Sequence, residues 1–153
     1  MQLIVLSDSH GRASLIDRVI AAHPNAAAFI FLGDGLRDFD EATRFDPRIA
    51  AVSVAGNCDL FADAPTVVTP TWGAHRFYIT HGHLHGVKDS LLRLACAARE
   101  KGASVALFGH THRPFNEKDG DLLLFNPGSL GQSGTYGVLD VIDSGVAATH
   151  HNI

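Results

Sequence analysis

A chain of 153 residues falls within the span of one domain, and a 46% hydrophobic fraction supplies apolar surface for one sizeable core. Charged residues make up 18% and the formal net charge is -4, so there is neither a basic field to attract nucleic acid nor an acidic run that would keep a tail disordered. The two cysteines, Cys58 and Cys96, form no disulfide framework and no zinc-ribbon spacing, which fits a reducing compartment.

In chain order, the opening MQLIVLSDSHGR has no basic leader, and its apolar run is too brief for a signal peptide or membrane helix. A soluble, cytoplasmic chain is expected. Residues 2–6 read as a strand buried on both faces, ending at Asp8 and His10. Leu15, Ile16, Val19 and Ile20 have helical spacing over 12–22, and Pro24 follows as a stop. Two more buried strands, 26–32 and 49–55, end in GDG at 33–35 and in GNCD at 56–59. After Pro65 the segments TVVTPTW and HRFYIT, split by Gly73, read as a hairpin that runs into HGH at 81–83. Val87, Leu91, Leu94, Ala95 and Ala98 form one helical face over 87–100, which places Cys96 in the core, and Gly102 is the stop. A strand at 103–108 ends at GHTH, and the remainder is β-rich, with a tight turn at Asn126-Pro127-Gly128-Ser129. No repeat or long linker divides the chain, so residues 1–153 are read as a single domain.

Ten histidines are many for this length, and most cluster as DSH, HGHLH and GHTH. An isolated DxH triplet or strand-end Asp is weak evidence, since such an Asp is more often a helix cap. Here Asp8 and His10, Asp34, Asn57, His81, and His110 with His112 all fall where a strand gives way to a loop, at the edge where open α/β sheets place ligands. Alternation in an extended segment would aim both outer residues of DxH or HxH at one cluster and turn Ser9 and Thr111 away. Gly33, Gly56, Gly82 and Gly109 let the loops turn sharply. Carboxylate, imidazole and amide donors without cysteine suit divalent manganese, iron, nickel or zinc better than calcium.

These blocks resemble the calcineurin-like metallophosphoesterase superfamily, whose pattern runs DxH, GD, GN, H and GHxH in this order. The GNCD, THGH, FGHTH and NPGS segments are similar to its compact bacterial and archaeal phosphodiesterases, and the likeness runs from Leu3 to about Val141. The resemblance implies an α/β/β/α sandwich with two mixed sheets. It implies two divalent ions, manganese foremost: one on Asp8, His10 and His112, the other on Asn57, His81 and His110, with Asp34 bridging. It implies hydrolysis of a small phosphoester, a phosphodiester first, by in-line attack of a metal-bridging hydroxide. A small-molecule phosphomonoesterase and a binding scaffold of this fold are the alternatives, and retention of all seven ligands favours an enzyme. Self-association into a homo-oligomer is a further expectation.

One position departs from the pattern. Many members carry a histidine after the motif asparagine, thought to assist the leaving oxygen; here it is Cys58. A thiol with an unperturbed pKa of roughly 8.5 can donate a proton but lacks the imidazolium charge. His83, alternating with His81, is the other candidate for that role. Asp59 reads as a loop cap, and Asp38, Asp40 and Glu41 as a solvated helix start. Arg12, His75 and His85 read as surface, His23 as a helix terminus, and His150 and His151 have no nameable partner.

Overall fold

The structure is a computed structural model that describes residues 1–153. In chain order it comprises β1 (Gln2–Leu6), α1 (Ala13–Ala22), β2 (Ala28–Phe31), α2 (Leu36–Thr43), β3 (Ala51–Ser53), β4 (Val67–Val68), β5 (Thr71–Trp72) and β6 (His75–Thr80). A 3-10 turn at His83–His85 leads to α3 (Leu92–Glu100), β7 (Val105–Leu107), β8 (Phe115–Asp119), β9 (Leu122–Asn126), α4 (Leu130–Ser133), β10 (Thr135–Ile142) and β11 (Gly145–Asn152).

Two mixed sheets result. The first has the order β11-β10-β1-β2-β3, with β1, β2 and β3 parallel and β10 antiparallel to β1. The second has the order β4-β6-β7-β9-β8, with β6, β7 and β9 parallel and β5 added beside β6. Strands buried on both faces must be continuously apolar, as β1, β2, β7 and β9 are. Leu3, Val5, Ile30, Phe77, Ile79, Leu107 and Phe125 fill the space between the sheets. Ile4, Leu6, Phe29 and Phe31 leave the other face of the first sheet against Ile16 and Val19 of α1 and Phe39 of α2. Leu94, Ala95 and Ala98 of α3 cover Tyr78, Ala106 and Leu124 on the far face of the second. The layers are therefore α/β/β/α, as the family resemblance implied.

Several local expectations change. The helix expected over 87–100 begins only at Leu92, because Gly86 and Asp89 close a turn and the Ser90 hydroxyl accepts the Leu92 N–H. Cys96 is exposed. It lies two residues, or about 200° of helical rotation, beyond Leu94, so it faces away from the inward stripe of Leu94, Ala95 and Ala98. Pro70, which has no N–H to give the ladder, divides the first arm of the hairpin into β4 and β5. The edge strand β8 carries only one apolar residue, Phe115, in FNEKD, so periodicity did not reveal it; its charges suit an exposed sheet edge. Parallel order has one consequence for function: β1, β2 and β3 all end on the same side, and so do β6 and β7 of the facing sheet.

Candidate metal centre

Those five strand ends deliver Asp8 and His10, Asp34, Asn57, His81, and His110 with His112. The convergence does not come from extended alternation. Asp8, His10, Asp34, His110 and His112 have φ of 55°, 47°, 59°, 66° and 60°, the left-handed region that side-chain-bearing residues seldom occupy. Five left-handed residues turn the loops inward, and the intervening Ser9 and Thr111 do face elsewhere, toward Asp38 and Asn126. Such strain persists only where surroundings enforce it. Here Asp8 N–H bonds to Gly33 O at 2.9 Å and His10 N–H to Asp34 O at 3.2 Å. Gly56 is packed so closely on Asp34 that a Cβ would collide with it, and the same holds for Gly109 against Ser7.

Asp8, His10 and His112 form one group whose ligand atoms lie within 4.8 Å of one another. Asp8 is fully buried. Its Oδ2 accepts from the Ser7 hydroxyl and from His110 N–H, whereas its buried Oδ1 has no hydrogen-bond partner. That oxygen lies 3.1 Å from His112 Nε2 and 3.8 Å from His10 Nε2. His112 Nδ1 is 2.8 Å from Gln132 Oε1, which can only accept, so in the neutral ring Nε2 carries a lone pair. Burial pushes the Asp8 carboxyl up in a chain without metal, against the Ser7 hydrogen bond and the neighbouring His81 and His112.

Asp34, His81 and His110 form the second group, and His10, Asp34 and Cys58 a third that shares Asp34 with it. His81 is buried, and its Nδ1 lies 2.6 Å from the Leu32 carbonyl, which fixes the proton there and frees Nε2. Around Nε2 stand Asn57 Oδ1 at 3.1 Å and Asp34 Oδ2 at 3.4 Å. Burial disfavours charge on His81, but Asp34 and Asp8 outweigh it and raise the pKa. Burial would likewise raise Asp34; hydrogen bonds from the protonated His81 ring and the Cys58 N–H reverse this and hold the carboxylate far below its usual range. His110 is pushed down to about 4 by burial, with His81 and Lys88 adding to it, so its ring stays neutral at physiological pH. In the neutral rings His112 Nε2 thus faces Asp8 Oδ1, and His81 Nε2 faces Asn57 Oδ1 and Asp34 Oδ2, acceptor against acceptor, and the buried Asp8 Oδ1 is left unsatisfied. A donor set of this kind fits divalent cations.

The structure brings all seven candidate ligands together. His83 also lies here, its ring centroid 5.4 Å from that of His81 and 6.1 Å from His110, because Gly82 (φ 106°) starts the 3-10 turn. Exposed Cys58 lies beside Asn57, whose Nδ2 is 3.4 Å from its sulfur. Asp59 is a loop cap of unusual reach, accepting the N–H groups of Asp34, Gly35, Leu36 and Gly56. Other supports were not read from the sequence. Asp38 accepts the Ser9 hydroxyl and Gly11 N–H; it is not merely solvated. Asn126 donates to Gly109 O and Thr111 Oγ1, so the NPGS turn holds the GHTH loop. Ser129 and Gly131 donate to Asp8 O. His85 is half-buried against Tyr78, and His150 stacks on Phe125 while bonding to Asn126 O, contrary to the surface and unpartnered readings. Gln132 had no sequence signal at all.

A family model described as calcineurin-like phosphoesterase superfamily domain matches residues 1–144. The chain is 35% identical over 130 residues to the probable metallophosphoesterase YsnB of Bacillus subtilis, covering 85% of this chain and 75% of that protein. It is 30% identical over 168 residues to the phosphodiesterase YfcE of Escherichia coli, covering 92% and 88%. A crystal structure of a Streptococcus pneumoniae protein described as a predicted phosphoesterase superimposes with a TM-score of 0.84 at 28% identity, covering 99% of this chain and 88% of that one.

Two predictions test this geometry on metal-free protein. Left-handed backbone at exposed His10 should make His10→Gly more stable than His10→Ala by about 1 kcal/mol in urea unfolding, whereas an equal or lower value would remove the strain. His81, raised in the fold, contributes stability that is complete below its unfolded pKa of about 6.5 and is lost as pH rises through the folded value. Thermal unfolding in chelator should therefore show a decline above about pH 6.5 that His81→Gln abolishes.

Proposed function

The chain belongs to the calcineurin-like phosphoesterase superfamily, and we propose that it hydrolyses small phosphodiesters with two divalent metal ions, manganese foremost and iron, nickel or zinc as alternatives. The observation that carries this reading is the buried, partnerless Asp8 Oδ1 facing the lone pair of His112 Nε2, beside a second group of acceptors around His81 Nε2. Asp8, His10 and His112 would hold one ion. Asn57, His81 and His110 would hold the other. Asp34 would serve both, since its carboxylate belongs with His10 on one side and with His81 and His110 on the other. Bound there, the ions would supply Lewis acidity toward the phosphate oxygens, charge neutralisation and water activation for in-line displacement.

The chain's own residues set the remaining roles. The Leu32 carbonyl and Gln132 keep the His81 and His112 rings in the orientation that presents Nε2. Asn57 and His10 are exposed, so a substrate phosphate can reach the cluster from solvent. His83, lowered by burial and by His81, is neutral at physiological pH. Burial and the Asp34 carboxylate push the Cys58 thiol up, so it remains protonated and can donate a hydrogen bond to a leaving oxygen without adding positive charge. Phosphodiester preference is supported by the likeness to the Escherichia coli phosphodiesterase. A cytoplasmic location remains part of the proposal; no helix is long and apolar enough to cross a membrane.

Bis(4-nitrophenyl) phosphate should be cleaved by protein loaded with manganese and not by protein stripped with chelator. Asp34→Ala or His81→Ala should lower kcat/KM by more than about a hundredfold, the upper range for losing even an outer support of a metal ligand, with circular dichroism unchanged. Full activity in chelator would overturn the reading. Cys58→His should speed alkyl phosphodiesters more than aryl ones and flatten the dependence of rate on leaving-group pKa; an unaltered slope would exclude Cys58 from leaving-group assistance.

A further inference from the structure

Beside the cluster, between α2 and the loop after Cys58, lies a cavity of about 630 Å³. It is continuous with the candidate metal centre through Cys58, whose sulfur lies within 4.8 Å of ligand atoms of His10 and Asp34 and whose side chain also lines the cavity. Leu60 and Phe61 are among its lining residues, and they are 75% and 104% exposed. Exposing two adjacent large apolar side chains is unfavourable unless something covers them in function. Phe61 is also held at φ 63°, the only left-handed non-glycine residue outside the candidate ligands. An aromatic residue has no local side-chain hydrogen bond to offset that conformation, unlike Asn or Asp. Two costs fall on one residue at the mouth of a site, where strain concentrates when position matters more than stability.

The charged residues on the cavity wall are Arg37, Asp40, Arg44, Asp59 and Asp63. Asp59 is saturated by four backbone N–H donors, and Arg37 pairs with Glu41 at 3.1 Å. The large exposed apolar surface that the wall offers is the Phe61 ring and the Leu60 side chain. An aromatic group can stack on such a ring and bury it. Resting on the reading of the cluster as a phosphoester-cleaving metal centre, we propose that this cavity receives a planar aromatic substituent of the substrate and that Phe61 is its specificity-determining contact. The substrate class is then an aryl or heteroaryl phosphoester, in which the phosphate sits at the metal cluster and the ring lies beyond Cys58.

Calorimetric titration of manganese-loaded protein with phenylphosphonate and methylphosphonate separates the two groups without relying on turnover. The wild type should bind phenylphosphonate about tenfold more tightly than methylphosphonate, the scale of one stacked, buried ring. Phe61→Ala should abolish that advantage and leave methylphosphonate affinity unchanged, while Phe61→Tyr should preserve it. Equal affinities in the wild type, or an advantage that survives Phe61→Ala, would overturn the inference and leave the metal-centre reading intact. Failure of the wild type to bind either phosphonate or inorganic phosphate would overturn both.

Discussion

The structure depends on a surplus of acceptors in one place. Leu32 O claims the only proton of a neutral His81 ring, Gln132 does the same for His112, and Asp8 keeps one buried oxygen without a donor. Buried acceptors are ordinarily satisfied, and leaving them opposed costs free energy that folding must offset elsewhere. Without a cation the chain relieves this by protonating His81, which is why that pKa rises although burial alone would lower it. A divalent ion held there would relieve it without protons. Folding and metal binding would thus be coupled through the same atoms.

Holding those acceptors in opposition requires a rigid frame. The two sheets supply it, because parallel strands within each sheet end together and the packed core between them fixes their separation. Five left-handed candidate ligand residues then complete the inward turn, and a shell of hydrogen bonds keeps them there. Asp59 ties the Asp34 and Asn57 loops into one unit, Asn126 supports the His110 loop, and Ser129 and Gly131 hold Asp8. The NPGS turn, read from the sequence as a tight turn and placed near the site by the family resemblance, therefore belongs to the support of the site.

Much of this was legible in the sequence for a physical reason. Strands buried on both faces leave continuous apolar runs, and a polar cluster at the end of each marks a loop at a sheet edge. Five such ends in order identified all seven converging side chains. What could not be read depends on contacts distant along the chain. Gln132 reaches His112 across 20 residues, and Asp59 reaches Asp34 across 25, with no periodicity to mark either. The convergence itself was expected from extended alternation, but it arises from left-handed backbone, which the bare DxH and HxH spacing cannot reveal. Cys96 illustrates the limit of counting apolar residues on a helix: it belongs to the same segment as the inward stripe but points outward.

The acceptor surplus makes a direct claim about stoichiometry. Equilibrium dialysis of the chelator-stripped chain against manganese, followed by elemental analysis, should find about two ions per chain, with Asp8→Asn retaining about one and Asp34→Ala fewer than two. A wild-type chain that takes up no manganese, zinc, iron or nickel under these conditions, or an Asp34→Ala chain that still holds two ions, would contradict it.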